Sequence, residues 1–157
     1  AAKLGHTRLC EVDREEFDRQ IPALRAEFGD RAVLRCIHYW YENNLVDQRW
    51  DSLQTADIDR FLALTRESGA SSAMYLQNVT AQLGREQPAM YALGLAEHIL
   101  DGRGAVRIHG GGFGGTIQAF VPLDITDKFI ERMDYWLGEG SSRHYRVSDK
   151  GAYATWL

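Results

Sequence analysis

The chain has 157 residues, 45% hydrophobic and 25% charged, the make-up of an ordinary soluble protein with room for one domain and a sizeable core. A net charge of −4 offers no general attraction to nucleic acid or an anionic membrane, and no apolar run approaches the ~18 residues of a membrane span. Two cysteines, Cys10 and Cys36, make no disulfide framework, so a reduced, cytoplasmic compartment with inert, partly buried thiols is expected.

The start, Ala1-Ala2-Lys3-Leu4-Gly5-His6, has neither a signal-peptide core nor an initiator Met, and reads as a cut inside a longer chain or a processed end. A helix is predicted from Val12 to Ala26, with Asp13 as N-cap, Glu16 three residues on, and Phe17, Ile21 and Leu24 at helical spacing. Gly29 ends it, and Asp30 is a candidate cap for a second helix from Arg31 to about Leu53. There Val33, Ile37, Trp40 and Asn44 share a stripe, with Cys36 beside them. His38 and Glu42 lie four apart on one face. No motif supplies a third ligand, so they read as a structural or solvated pair, not a metal site. Tyr39, Trp40 and Tyr41 read as core plus rim.

A third helix begins after Thr55, with Ile58, Phe61, Leu62 and Thr65 inward, and fades in the small polar joint from Glu67 to Ser72. A short helix from Ala73 to Val79, a loop from Thr80 to Gln87 and a helix from Pro88 to Leu100 follow, the proline suiting a first turn. After the turn Asp101-Gly102-Arg103-Gly104 come two strands, Ala105 to Ile108 and Thr116 to Val121. Ile125 to Gly138 is an amphipathic helix, capped by Asp124 or Thr126, with Phe129, Ile130, Met133 and Leu137 on one side. His144 to Val147 and Ala152 to Trp156 read as further strands. The order makes an α+β domain, helices on an antiparallel sheet, with no internal boundary.

Between the first two strands lies His109-Gly110-Gly111-Gly112-Phe113-Gly114-Gly115-Thr116. Five glycines within six positions exceed what a hairpin needs. Gly110, Gly112 and Gly115 fit the G-x-G-x-x-G pattern of dinucleotide-binding folds, but that fingerprint requires a helix afterwards. Here Thr116-Ile117-Gln118-Ala119-Phe120-Val121-Pro122 reads as a strand closed by proline. No Gly-Lys-Ser/Thr follows, so a P-loop is excluded as well. His109, at a strand end, suits either contact with phosphate or sugar or a satisfied, half-buried position.

This helix–strand–glycine loop–strand–helix–strand order, with Phe113 inside the glycines, resembles the C-terminal domain of the GHMP kinases, and among them the galactokinase family. Arg31-Ala32 with Glu42 resembles that family's Arg-Ala-x-His-x-x-x-Glu helix at slightly different spacing. Ser68-Gly69 stands where the family has Ser-His, and Lys150-Gly151-Ala152 resembles its closing segment. His109 and Thr116 replace a Thr and a Cys of the family pattern.

The resemblance implies a ferredoxin-like α+β domain from a two-domain, ATP- and Mg²⁺-dependent enzyme that phosphorylates the anomeric hydroxyl of galactose. It also implies that the phosphate-cradling loop and the catalytic side chains belong to an N-terminal domain, so that this stretch carries no catalytic residue and is inactive alone. His109, Gly110, Gly111, Gly112, Phe113, Gly114, Gly115 and Thr116 would then approach phosphate and sugar, with Phe113 anchored in the core. The implied partners are that N-terminal domain and a small sugar, with self-association through the exposed interface in its absence. Another GHMP kinase, or a non-catalytic ferredoxin-like binding module, are the alternatives.

Overall fold

A computed structural model describes residues 1–80, 85–113 and 115–151. The described elements are α1 (Arg14–Phe28), α2 (Asp30–Gln54), α3 (Ile58–Ser71), α4 (Pro88–Leu100), β1 (Ala105–Ile108), β2 (Ile117–Phe120) and α5 (Thr126–Leu137). The fold is α+β, with helices packed on an antiparallel pair of strands.

Local chemistry sets most boundaries. The Asp13 carboxylate accepts the Glu16 N–H at 2.9 Å, and Asp57 does the same for Arg60 at 3.0 Å. Gly29, at φ 80°, closes α1 and also caps α2. Asp30 therefore falls inside α2 and reaches back to Arg25 at 2.5 Å. Pro88 occupies the first turn of α4. The expected caps of α5 are engaged elsewhere. Asp124 pairs with Arg103 at 2.7 Å, and the Thr126 hydroxyl donates to the Pro122 carbonyl at 3.0 Å.

The hairpin pairs Ala105 with Phe120, Val106 with Ala119, Arg107 with Gln118 and Ile108 with Ile117. Alternation along a strand sends successive side chains to opposite faces. On one face Val106, Ile117 and Ala119 join Ala96 and Leu100 of α4 and Phe129 and Met133 of α5. Ile108, on that face too, closes a smaller cluster with Val79 and Ala89. On the other face Phe120 meets Phe61 of α3 edge-on at 5.3 Å, and Arg107 lies under α3 and α2. The hairpin is thus covered on both sides. A third cluster, Val12, Phe17 and Val33 with Trp40, joins α1 to α2, the Phe17 and Trp40 rings lying 4.7 Å apart.

Four expectations change. The polar joint from Glu67 to Ser72 is not a break: α3 runs to Ser71 and leads into one π-helical turn, Ser72–Leu76, in place of the expected short helix. Ser68, Ser71 and Ser72 are buried because they are small, and a Cβ on Gly69 would lie 2.9 Å from the Val106 carbonyl. Small residues here mark close packing of a helix on a strand. Ile58 and Asn44 face solvent, while Leu64 and Leu45 are buried. His144 to Val147 forms no ladder among the described residues: Tyr145 and Val147 are exposed, and β propensity without a neighbouring strand there makes no sheet. Cys10 is exposed and Cys36 half-buried, with burial pushing the Cys36 thiol up. The strand expected at 152–156 lies outside the described residues.

Candidate glycine-loop site

The loop springs from a closed ladder. Beyond the last β1–β2 pair the His109 N–H donates to the Thr116 carbonyl at 3.0 Å. Gly110, Gly112 and Gly115 then adopt φ of 68°, 80° and 84°. These values are open to glycine and strained for other residues. Gly110, Gly111 and Gly115 face open space, since a Cβ on any of them would meet nothing within 4 Å.

Gly112 is different, because it sits on Asn78. A Cβ there would fall 2.8 Å from the Asn78 Cβ and Cγ, and closer still to its carbonyl oxygen. The Phe113 N–H donates to that carbonyl at 2.9 Å, and the Asn78 amide donates to the Gly111 carbonyl at 3.4 Å. Asn78 is buried, and its Oδ1 has no partner among the described residues. The outcome is a loop latched from behind and bare in front.

Behind β1 lies a polar cluster. Glu42 of α2 accepts from Ser68 of α3, whose hydroxyl lies 2.6 and 2.8 Å from the two carboxylate oxygens. Arg49, two turns along α2, reaches the same carboxylate at 3.0 Å, and Arg107 of β1 reaches it at 3.5 Å. His38 Nδ1 lies 2.9 Å from the Ser71 hydroxyl. Burial holds the His38 imidazole below its usual value; Glu42 pulls it up and Arg107 pushes it down. Burial likewise lowers Arg107, with Glu42 opposing and Arg49 reinforcing. No group of three or more His, Cys, Asp or Glu able to hold a metal occurs among the described residues.

The structure brings His109, Gly110, Gly111, Gly112, Phe113, Gly115 and Thr116 together on one loop; Gly114 lies outside the described residues. One reading is corrected. Phe113 does not anchor the loop in the core: it is 49% exposed at φ 58°, because the Asn78 latch turns its backbone. Of the two positions left open for His109, the half-buried one falls, since the residue is exposed. His38 and Glu42 each bond to α3, His38 to Ser71 and Glu42 to Ser68. Sequence reasoning missed their partners Ser68, Ser71, Arg49 and Arg107, and it missed Asn78. Ser68 and Ser71, three apart on α3 opposite His38 and Glu42, were a readable signal. Asn78, in an irregular segment, gave none.

No family model and no solved structure matches the chain. Among curated proteins, a galactokinase of Mannheimia succiniciproducens is 31% identical over 125 residues, which is 79% of this chain and 31% of that protein. A galactokinase of Actinobacillus succinogenes is 31% identical over 128 residues, 81% of this chain and 31% of its own length. The chain spans about a third of the length of these relatives. No described helix is long and apolar enough to cross a membrane. Glycine-loop hairpin and relatives agree: this chain is a galactokinase-related GHMP kinase sequence that corresponds to about a third of such a protein.

Proposed function

We propose that the chain is the C-terminal part of an ATP-dependent sugar kinase of the galactokinase type, and that residues 109–116 form one wall of its phosphoryl-transfer site. The observation that carries this is a glycine loop bare toward solvent and latched from behind by Asn78. Phosphoryl transfer asks the protein mainly to align donor and acceptor, exclude water and stabilise spreading charge. Bound ATP supplies the phosphoryl group. With open space in front of Gly110, Gly111 and Gly115, the backbone can approach a phosphate or a facing loop without steric conflict. His109, exposed at the mouth, can donate to a phosphate or sugar oxygen. The nucleophile-activating groups belong to the remaining two-thirds of a protein of the relatives' length, which makes this stretch inactive by itself.

A second reading, a GHMP kinase for another sugar or small alcohol, is favoured by His109 and Thr116, which depart from the galactokinase pattern at both ends of the loop. The test is ADP release by the complete gene product with Mg²⁺-ATP and a panel of monosaccharides and small alcohols. Turnover on galactose alone carries the first reading, and turnover on another acceptor carries the second. No turnover on any acceptor overturns both.

A further inference from the structure

Arg107 is out of place for a strand packed on both sides. Val106 and Ile108 beside it are buried apolar residues, and its own Nε is buried with no partner among the described residues. Burying a guanidinium that is incompletely paired costs stability, and an apolar side chain of similar volume would often serve stability better. What the guanidinium adds is a fixed point. Apolar contacts let a strand slide by fractions of an ångström at little cost, whereas a charge facing one carboxylate has a preferred distance and direction. Glu42 is itself held from two other sides, by Ser68 of α3 and Arg49 of α2. The anchor therefore cannot swing to follow the strand. Glycine-rich backbone supplies no rigidity of its own, so the place of Gly110 to Gly112 is set by where β1 ends and by the Asn78 latch.

We propose that Arg107, held by Glu42, is a positioning residue for the glycine loop: the cluster joining α2, α3 and β1 fixes the end of β1 and thereby the place of the loop. The inference rests on the kinase reading for its catalytic consequence, but not for its structural one. It is tested in the complete gene product with Arg107→Met, Arg107→Lys and Glu42→Gln, read by kinetics and by amide exchange. Because Arg107 makes a single contact to Glu42, lysine can replace it where methionine cannot.

Arg107→Met and Glu42→Gln are each expected to lower kcat at least tenfold with KM for the acceptor within threefold. Exchange at the His109 and Phe113 amides rises at least tenfold, while the α4 amides stay as protected as in the wild type. Arg107→Lys recovers kcat to within threefold of the wild type. A purely structural role would raise exchange everywhere and leave kcat per folded molecule unchanged, and that result overturns the proposal. So does exchange at both loop amides within twofold of the wild type in Arg107→Met. If Arg107→Met does not fold, Glu42→Gln and Arg107→Lys decide by the same thresholds. Should the wild-type protein phosphorylate no acceptor, the kinase reading falls, and loop exchange alone decides this one.

Discussion

Gly112 is constrained twice, since both its φ of 80° and its contact with Asn78 exclude a side chain. Valine there adds about 1–3 kcal/mol of backbone strain before any clash is counted. Gly112→Val is expected to abolish turnover by the complete protein while leaving its far-UV circular dichroism intact; wild-type kinetics would refute this. His38 sets a pH dependence. Its imidazole stays neutral in the fold below the usual 6.5, facing Glu42 and Arg107, while the unfolded chain takes up a proton there. The unfolded state then binds more protons, so stability falls as pH drops below 6.5 and levels off once the folded His38 also titrates. Melting temperature measured down from neutral pH should show this slope, and His38→Gln should flatten it. An unchanged slope in His38→Gln would assign the effect to other groups.

Between elements, glycine tests packing in two opposite ways. Gly69 in α3 faces the Val106 carbonyl, so alanine there overpacks at about 1–3 kcal/mol against a helix-propensity gain of about 1 kcal/mol. The neighbour is strand backbone and cannot turn aside, so Gly69→Ala is expected to lose stability. Gly94, in α4, has nothing within 4 Å of a Cβ, and Gly94→Ala should gain about 0.5–1 kcal/mol. Urea unfolding of both variants checks the pair; equal signs would refute the packing account. These two glycines also show what a sequence conceals. Helical periodicity and Pro88 made α1 to α5 legible, and the glycine run pointed to the loop. Whether a small residue marks a bend or a close approach depends on the facing element. That is why the Glu67 to Ser72 stretch reads as a joint and folds as a helix end. Phe113 failed for a related reason: an aromatic usually goes inward, but here a backbone hydrogen bond to Asn78 decides its direction. Tyr145 and Val147 had strand chemistry but no strand beside them among the described residues.

At the scale of the molecule, the chain presents 11,147 Å² of accessible surface. A compact monomer of its 17.8 kDa would present roughly 8,000 Å². Part of the excess is apolar. Val46, Trp50 and Leu53 stand exposed along α2 at positions four and then three apart, and Phe113 is half exposed in the loop. An exposed apolar row such as the one on α2 ordinarily meets a partner. The 157-residue chain produced alone is therefore expected to self-associate, with a sedimentation coefficient that rises with concentration. Trp50→Glu should weaken the association, and a concentration-independent monomer would refute it.

The double cover of the hairpin has a consequence for how the protein is made. Both strands are complete at Phe120, yet Phe129 and Met133, which close one of their faces, come later in the chain. During synthesis the pair has α4 to cover Val106, Ile117 and Ala119 but lacks the α5 half of that cover for of order a second, at about 5–20 residues added per second. A translational stall that holds Phe129 and Met133 inside the ribosome after the hairpin has emerged would prolong that interval, and the half-covered hairpin would then be open to pairing with neighbouring nascent chains.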